Sequence, residues 1–164
     1  MLDFYHTADL INNTFDDIEK FTFNGLLTKA KVIDVYDGDT LTIVFYYNNQ
    51  PIKDSFRMYG YDAPEMKPPK TLKNRELHIK AATHVRDYLR NKLLGKIVWV
   101  KFCQEEKYGR LMGILYFISP THENYFNGEE ININQLIIQK GYGKEYKGGK
   151  KEQFTDDELI AILT

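Results

Sequence analysis

Three strand-like stretches follow one another between Lys31 and Tyr59, separated by tight turns, and this crowding constrains the fold more than any other feature of the chain. Lys31 to Tyr36 (KVIDVY) is β-branched and aromatic, and Thr40 to Tyr47 (TLTIVFYY) alternates, with Leu41, Ile43, Phe45 and Tyr47 on one face. Ile52 to Tyr59 forms a third strand, with Ile52, Phe56 and Met58 on one face and Arg57 on the other. Asp37-Gly38-Asp39 and Asn48-Asn49-Gln50 are the turns between them. Strands joined this closely pair as antiparallel neighbours.

Further along, Leu77, Ala81, Val85, Tyr88 and Leu89 recur at helical spacing, so an amphipathic helix is expected over about Lys73 to Leu94, stopped by Gly95. Glu76–Lys80 and Asp87–Arg90 are expected as pairs on its wet face. Two strands follow, Ile97 to Cys103 and Leu111 to Ile118. Ile131 to Lys140 reads as a second helix, and Asp156 to Leu163 as a third, N-capped by Thr155 with Glu158 completing a capping box. Strands and helices are segregated, which predicts an α+β domain: a five-stranded Greek-key barrel of the oligonucleotide-binding type (OB-fold) with about three α-helices. Residues 1–27 read as an N-terminal extension with short helical turns at Ala8–Ile11 and Phe15–Ile18, and 28–164 as the domain.

With 164 residues and 43% hydrophobic content, one domain with a sizeable core is possible. The net charge of -1 and a pI of about 6.4 give no whole-chain signature of nucleic-acid binding. Positive charge must therefore be concentrated locally, as at Lys67, Lys70 and Lys73 and at Lys144, Lys147, Lys150 and Lys151, or be supplied by a metal ion. Cys103 is the single cysteine, which excludes an intramolecular disulfide, and a buried inert thiol is expected. The first 20 residues are acidic and lack an apolar core, and no stretch has the length of a membrane span, so a soluble intracellular, cytoplasmic protein is expected.

Three segments carry chemistry: Asp37-Gly38-Asp39-Thr40, Arg57 to Glu65, and Lys107-Tyr108-Gly109-Arg110. If their strands are neighbours, Asp37, Asp39, Asp62 and Glu65 converge at one end of the barrel. Carboxylates that close repel one another unless a cation joins them, and calcium or magnesium is the natural candidate. Arg57 and Arg110 have the fork geometry to clamp one phosphate, and Glu65 is a candidate general base. Taken singly, each has an ordinary reading: a hairpin turn, a solvated strand arginine, a surface glutamate. A lone tyrosine such as Tyr142 or Tyr146 is more often part of the core than a base-stacking platform.

Together, Asp-Gly-Asp-Thr, Phe-Arg followed by Asp-Ala-Pro-Glu, and Lys-Tyr-Gly-Arg resemble the staphylococcal nuclease (thermonuclease) family, over about Lys29 to Tyr146. The resemblance implies an oligonucleotide-binding barrel and calcium-dependent cleavage of DNA or RNA at the 5′ side of the phosphodiester, leaving 3′-phosphates. It implies Asp39 and Asp62 as carboxylate ligands of Ca2+, the Ala63 backbone carbonyl as a third, and Asp37 behind them. Arg57 and Arg110 would hold the scissile phosphate, with Glu65 activating or ordering the water. Lys107 and Tyr108 would contact the terminal phosphate and base, and Tyr142 or Tyr146 would stack on a base. The family's founding member has threonine where Ala63 stands, a change that a backbone ligand survives. A monomeric endonuclease preferring single-stranded or unpaired DNA or RNA, with no membrane partner, is the leading expectation. The alternative is a non-catalytic module of the same fold that binds nucleic acid or protein.

Overall fold

The computed structural model describes residues 7, 9–12, 14–103, 110–117 and 131–164. The strands are β1 (Leu27–Val35), β2 (Thr40–Tyr47), β3 (Gln50–Met58), β4 (Gly60–Asp62), β5 (Ile97–Phe102), β6 (Leu111–Phe117), β7 (Ile131–Asn132) and β8 (Lys144–Tyr146). Residues 9–12 are helical, and the longer helices are α1 (Arg75–Leu93), α2 (Ile133–Gln139) and α3 (Asp156–Leu163).

β1, β2 and β3 form an antiparallel meander, and β1 also pairs with β5, which pairs with β6. A short parallel pairing, Phe56↔Leu111 to Met58↔Gly113, joins β3 to β6 and closes a five-stranded barrel. Closure removes the exposed edges that an open sheet would present. The OB-type α+β architecture expected from the strand count is therefore the one observed. The Asn48-Asn49 turn has both φ values positive, 48° and 60°, the left-handed geometry that matches the twist of a two-residue hairpin.

Alternation decides what fills the barrel. Leu41, Ile43, Phe45, Phe56 and Met58 are buried together with Val32, Val98, Val100, Phe102 and Leu115. Phe23 packs edge-on against Phe45 and Tyr47, so the end of the N-terminal extension docks on the barrel mouth. α1 lays Leu89 and Leu93 on this core, while its Ala81 and Val85 meet Leu159 and Ile162 of α3. The α3 capping box forms as expected: Thr155 Oγ1 accepts from Glu158 N at 3.3 Å, and Thr155 N donates to Glu158 Oε2 at 2.7 Å.

Several local expectations are corrected. Arg90 does not pair with Asp87; it reaches Asp34 at 3.2 Å and donates to the Val35 carbonyl, tying α1 to β1, while Asp87 pairs with Arg86. Ile131 and Asn132 are strand rather than helix, because they pair with Phe117 and Tyr116; Asn132 then caps α2 by accepting from Gln135 N at 3.1 Å. Cys103 is half-buried rather than buried, since β5 ends at Phe102, and partial burial pushes its thiol up from the ordinary range.

Two short strands, of three residues each, carry no periodicity in the sequence. β4 and β8 pair antiparallel, Gly60↔Tyr146 and Asp62↔Lys144, outside the barrel sheet. Asn134 of α2 bolts this region to the barrel. Its Oδ1 accepts from Leu115 N at 3.0 Å, and its Nδ2 donates to the carbonyls of Tyr59 and Gly113 at 2.7 and 3.1 Å. Buried backbone groups at the seam are thereby satisfied.

Candidate nuclease site

The site begins with the Asp37-Gly38-Asp39 turn between β1 and β2. Asp37 Oδ1 accepts from the backbone N–H of Asp39 at 3.1 Å and of Thr40 at 2.9 Å, an aspartate-stabilised turn. Glycine is required in the middle for lack of room. A Cβ on Gly38 would stand 2.6 Å from Ala63 Cβ and 2.9 Å from Val85 Cγ1. The absence of a side chain lets Ala63 and α1 close over the turn, and the phenol of Tyr61 locks it by donating to the Gly38 carbonyl at 2.7 Å. Tyr61 is fully buried, and burial, reinforced by the negative charge of Asp39, holds its hydroxyl well above the ordinary tyrosine range, so it remains a donor.

From this turn Asp39 projects to Arg57. Thr40 pairs with Arg57 across β2 and β3, and Met58 N donates to the Asp39 carbonyl at 2.8 Å, so the two strands are in register at this end. Arg57 Nη1 forms an ion pair with Asp39 Oδ1. Its Nη2 donates to Asp62 Oδ1 and to the Tyr61 carbonyl, each at 3.1 Å. Asp39 also accepts from Thr40 Oγ1 at 2.9 Å and from Ala63 N at 3.3 Å. Arg57 points away from the barrel interior yet is only 6% exposed, because Asp39, Asp62 and Tyr61 enclose it. Charges this buried persist only when paired and hydrogen-bonded.

Asp37 registers the surplus of negative charge. Burial, followed by repulsion from Asp39, pushes its carboxyl up to about 6 despite two backbone N–H donors.

Asp62 and Glu65 are joined by Lys151. Its Nζ lies 2.7 Å from Asp62 Oδ1 and 3.1 Å from Glu65 Oε1. Burial works to lower the Lys151 ammonium, but these two carboxylates prevail and raise it. These residues line a cleft of about 140 Å³, with Pro68, His78 and Gln153 among its other walls. By sequence Lys151 is one lysine of a basic patch. Its proximity to Asp62 depends on the turn after β8, which spacing does not reveal. His78, buried in the cleft wall, carried no sequence signal, and burial lowers its imidazole.

Arg110 directly precedes β6, and Met112 is the register partner of Arg57, so Arg110 lies at the same end of the barrel. Lys107 and Tyr108 lie outside the described residues. Tyr142 packs edge-on against His84 and Tyr88 of α1, while Tyr146 faces Gly60 and donates to the Gly149 carbonyl at 3.0 Å. Lys144 is spent on Glu158 at 2.8 Å, and Lys67 stands over the Tyr36 ring.

The oxygen donors at this end are the carboxylates of Asp37, Asp39 and Asp62, the kind of group a hard cation takes. Asp39 and Asp62 are brought to one guanidinium, Ala63 stands between Asp62 and Pro64, and Asp37 lies behind Asp39 with its Oδ1 on two backbone N–H groups. Among the described residues no group of three or more His, Cys, Asp or Glu side chains is placed so as to hold a metal ion.

The family model described as staphylococcal nuclease homologue matches residues 55–162. The chain belongs to the staphylococcal nuclease family. Arg57, Asp62, Glu65 and Arg110 lie inside the matched range, and Asp37 and Asp39 precede it. Proteins named "uncharacterized endonuclease" from Escherichia coli O157:H7 and from Escherichia coli are each 26% identical over 134 residues, covering 82% of this chain and 68% of theirs. A protein of Mycoplasma genitalium named "uncharacterized lipoprotein MG186" is 30% identical over 120 residues, covering 70% of this chain and 46% of its own length. Among the described residues of this staphylococcal nuclease homologue, no helix is long and apolar enough to cross a membrane.

Proposed function

We propose that this protein is a calcium-dependent endonuclease that hydrolyses phosphodiester bonds of DNA or RNA, acting as a monomer on single-stranded or unpaired substrate. One observation carries the reading: buried Arg57 is held between Asp39 and Asp62, carboxylates from the β1–β2 turn and from β4 at one end of an OB-type barrel. The names of the Escherichia coli relatives support the same activity. Phosphoryl displacement builds negative charge on the equatorial oxygens, and preorganised cations at a water-poor site lower that barrier.

Asp39, Asp62 and the Ala63 carbonyl would hold the ion, with Asp37 behind them. A bound Ca2+ would polarise the phosphate and help orient the nucleophile. Arg57 and Arg110 are assigned to the scissile phosphate, where planar forked donors match paired oxygens. Glu65, more than half exposed at the cleft, takes the proton of the attacking water. The oxygen–phosphorus bond forms as the bond to the 5′ oxygen breaks, leaving a 3′-phosphate, while the 5′ oxygen takes a proton from solvent and departs as a hydroxyl. Lys107 and Tyr108 are assigned to the terminal phosphate and base. Tyr142 and Tyr146 remain the two stacking candidates.

Incubation of denatured DNA and of RNA with the protein, with calcium and with excess chelator, tests this. Chelator-sensitive cleavage yielding 3′-phosphate ends is expected. Binding without cleavage under either condition would instead indicate a non-catalytic binding module.

A further inference from the structure

The Lys151 ammonium is seated on Asp62, one of the two carboxylates assigned to the ion, and on Glu65, the assigned base. Its Nζ is 2.7 Å from Asp62 Oδ1, the oxygen that also receives Arg57 Nη2, and 3.1 Å from Glu65 Oε1. We propose that Lys151 is a tethered competitor for the divalent cation, and that it sets how tightly the site takes that ion. This rests on the metal-dependent reading given above.

The chain around Lys151 is built to deliver it. Gly148 and Gly149 have φ of +101° and +95°, a backbone that L side chains rarely adopt, and they turn the segment back toward β4. Both flanks are fastened: Tyr146 donates to the Gly149 carbonyl at 3.0 Å, and Lys144 Nζ donates to the Gln153 carbonyl at 3.0 Å. A cation on so short a tether acts at high effective concentration. The contact is also exchangeable. The Lys151 side chain is 42% exposed and that of Glu65 54%, so their pairing is screened and worth little by itself.

A divalent ion taken up on Asp62 Oδ1 would be a third positive charge at that oxygen, beside Arg57 and Lys151, and of these two side chains the part-exposed ammonium is the one that can be expelled. Expulsion frees Glu65 for its role as base and leaves the ammonium at the cleft, where a phosphate brings compensating charge. Lys150 differs: among the described contacts it makes none with Asp62 or Glu65, although it carries the same charge one residue away.

Calorimetric titration of the full chain with calcium, without nucleic acid, distinguishes the two lysines. Wild type, Lys151→Gln and Lys150→Gln are compared, each first shown to be folded by circular dichroism. Lys151→Gln is expected to bind calcium roughly three- to tenfold more tightly than wild type, the scale of one partly exposed ion pair removed. Lys150→Gln, which loses the same formal charge, should stay within about twofold. Equal affinities for the two variants overturn the competition while leaving the nuclease reading intact. Absence of calcium binding in all three proteins overturns both.

Discussion

Arg57 and Asp62 are only five residues apart, yet the 3.1 Å bond between Nη2 and Oδ1 closes across a change of strand, from the barrel into the small β4–β8 sheet. The same guanidinium reaches Asp39 with its other nitrogen. A lysine carries the charge but not the fork, so it cannot serve Asp39, Asp62 and the Tyr61 carbonyl together. Arg57→Lys is therefore expected to lower hydrolysis by about a hundredfold or more and to destabilise the fold by about 1–3 kcal/mol. Single-turnover cleavage and urea unfolding measure the two effects; wild-type values in both would remove Arg57 from the site.

Glu65 presents the opposite case. It is exposed, and its described partner is Lys151, so Glu65→Gln should change stability by no more than about 0.5 kcal/mol. Loss of a general base is expected to cost about a hundredfold or more in rate. Cleavage at the wild-type rate by a folded Glu65→Gln variant would refute its assignment as the base.

Asp37 makes stability depend on pH. Its carboxyl is raised from 3.8 to about 6, so between roughly pH 4 and pH 6 the folded state binds more protons than the unfolded state. The associated cost is absent below about pH 4, grows as pH rises, and is fully present above about pH 6. Asp37→Asn keeps the acceptor oxygen for the turn and removes the charge. In chelator it should stabilise the protein at pH 7 by about 1–2 kcal/mol and have little effect at pH 4, as read by thermal unfolding. An equal effect at both pH values would contradict the assignment.

Gly38 tests the packing beneath the site. Alanine there drives a methyl group into Ala63 and Val85, and about 1–3 kcal/mol of destabilisation is expected from overpacking. Adding Ala63→Gly removes the nearer obstacle and should restore part of the loss. If the double variant is no more stable than Gly38→Ala alone, the close approach of Ala63 is not what fixes this turn.

The alternation of Thr40–Tyr47, the turn residues at 37–39 and 48–50, and the period of Leu77 to Leu89 were sufficient to read the barrel and its main helix, because period and turn chemistry are local properties. The acidic turn, Arg57 and the Asp-Ala-Pro-Glu segment were likewise legible as a group, since each lies at the end of a readable strand. Other features emerge only once the chain has folded. β4 and β8 are three residues each, too short for any periodicity, and they pair across some eighty positions. Asn134 is an ordinary helix asparagine until Leu115, Tyr59 and Gly113 surround it with backbone groups. Lys151 is one lysine in a basic run, and Arg57 one polar residue on an outward strand face. Their burial and ion pairs depend on elements distant in sequence converging on a shared set of charges, and Coulomb interactions depend on separation in space, which spacing along a chain does not encode.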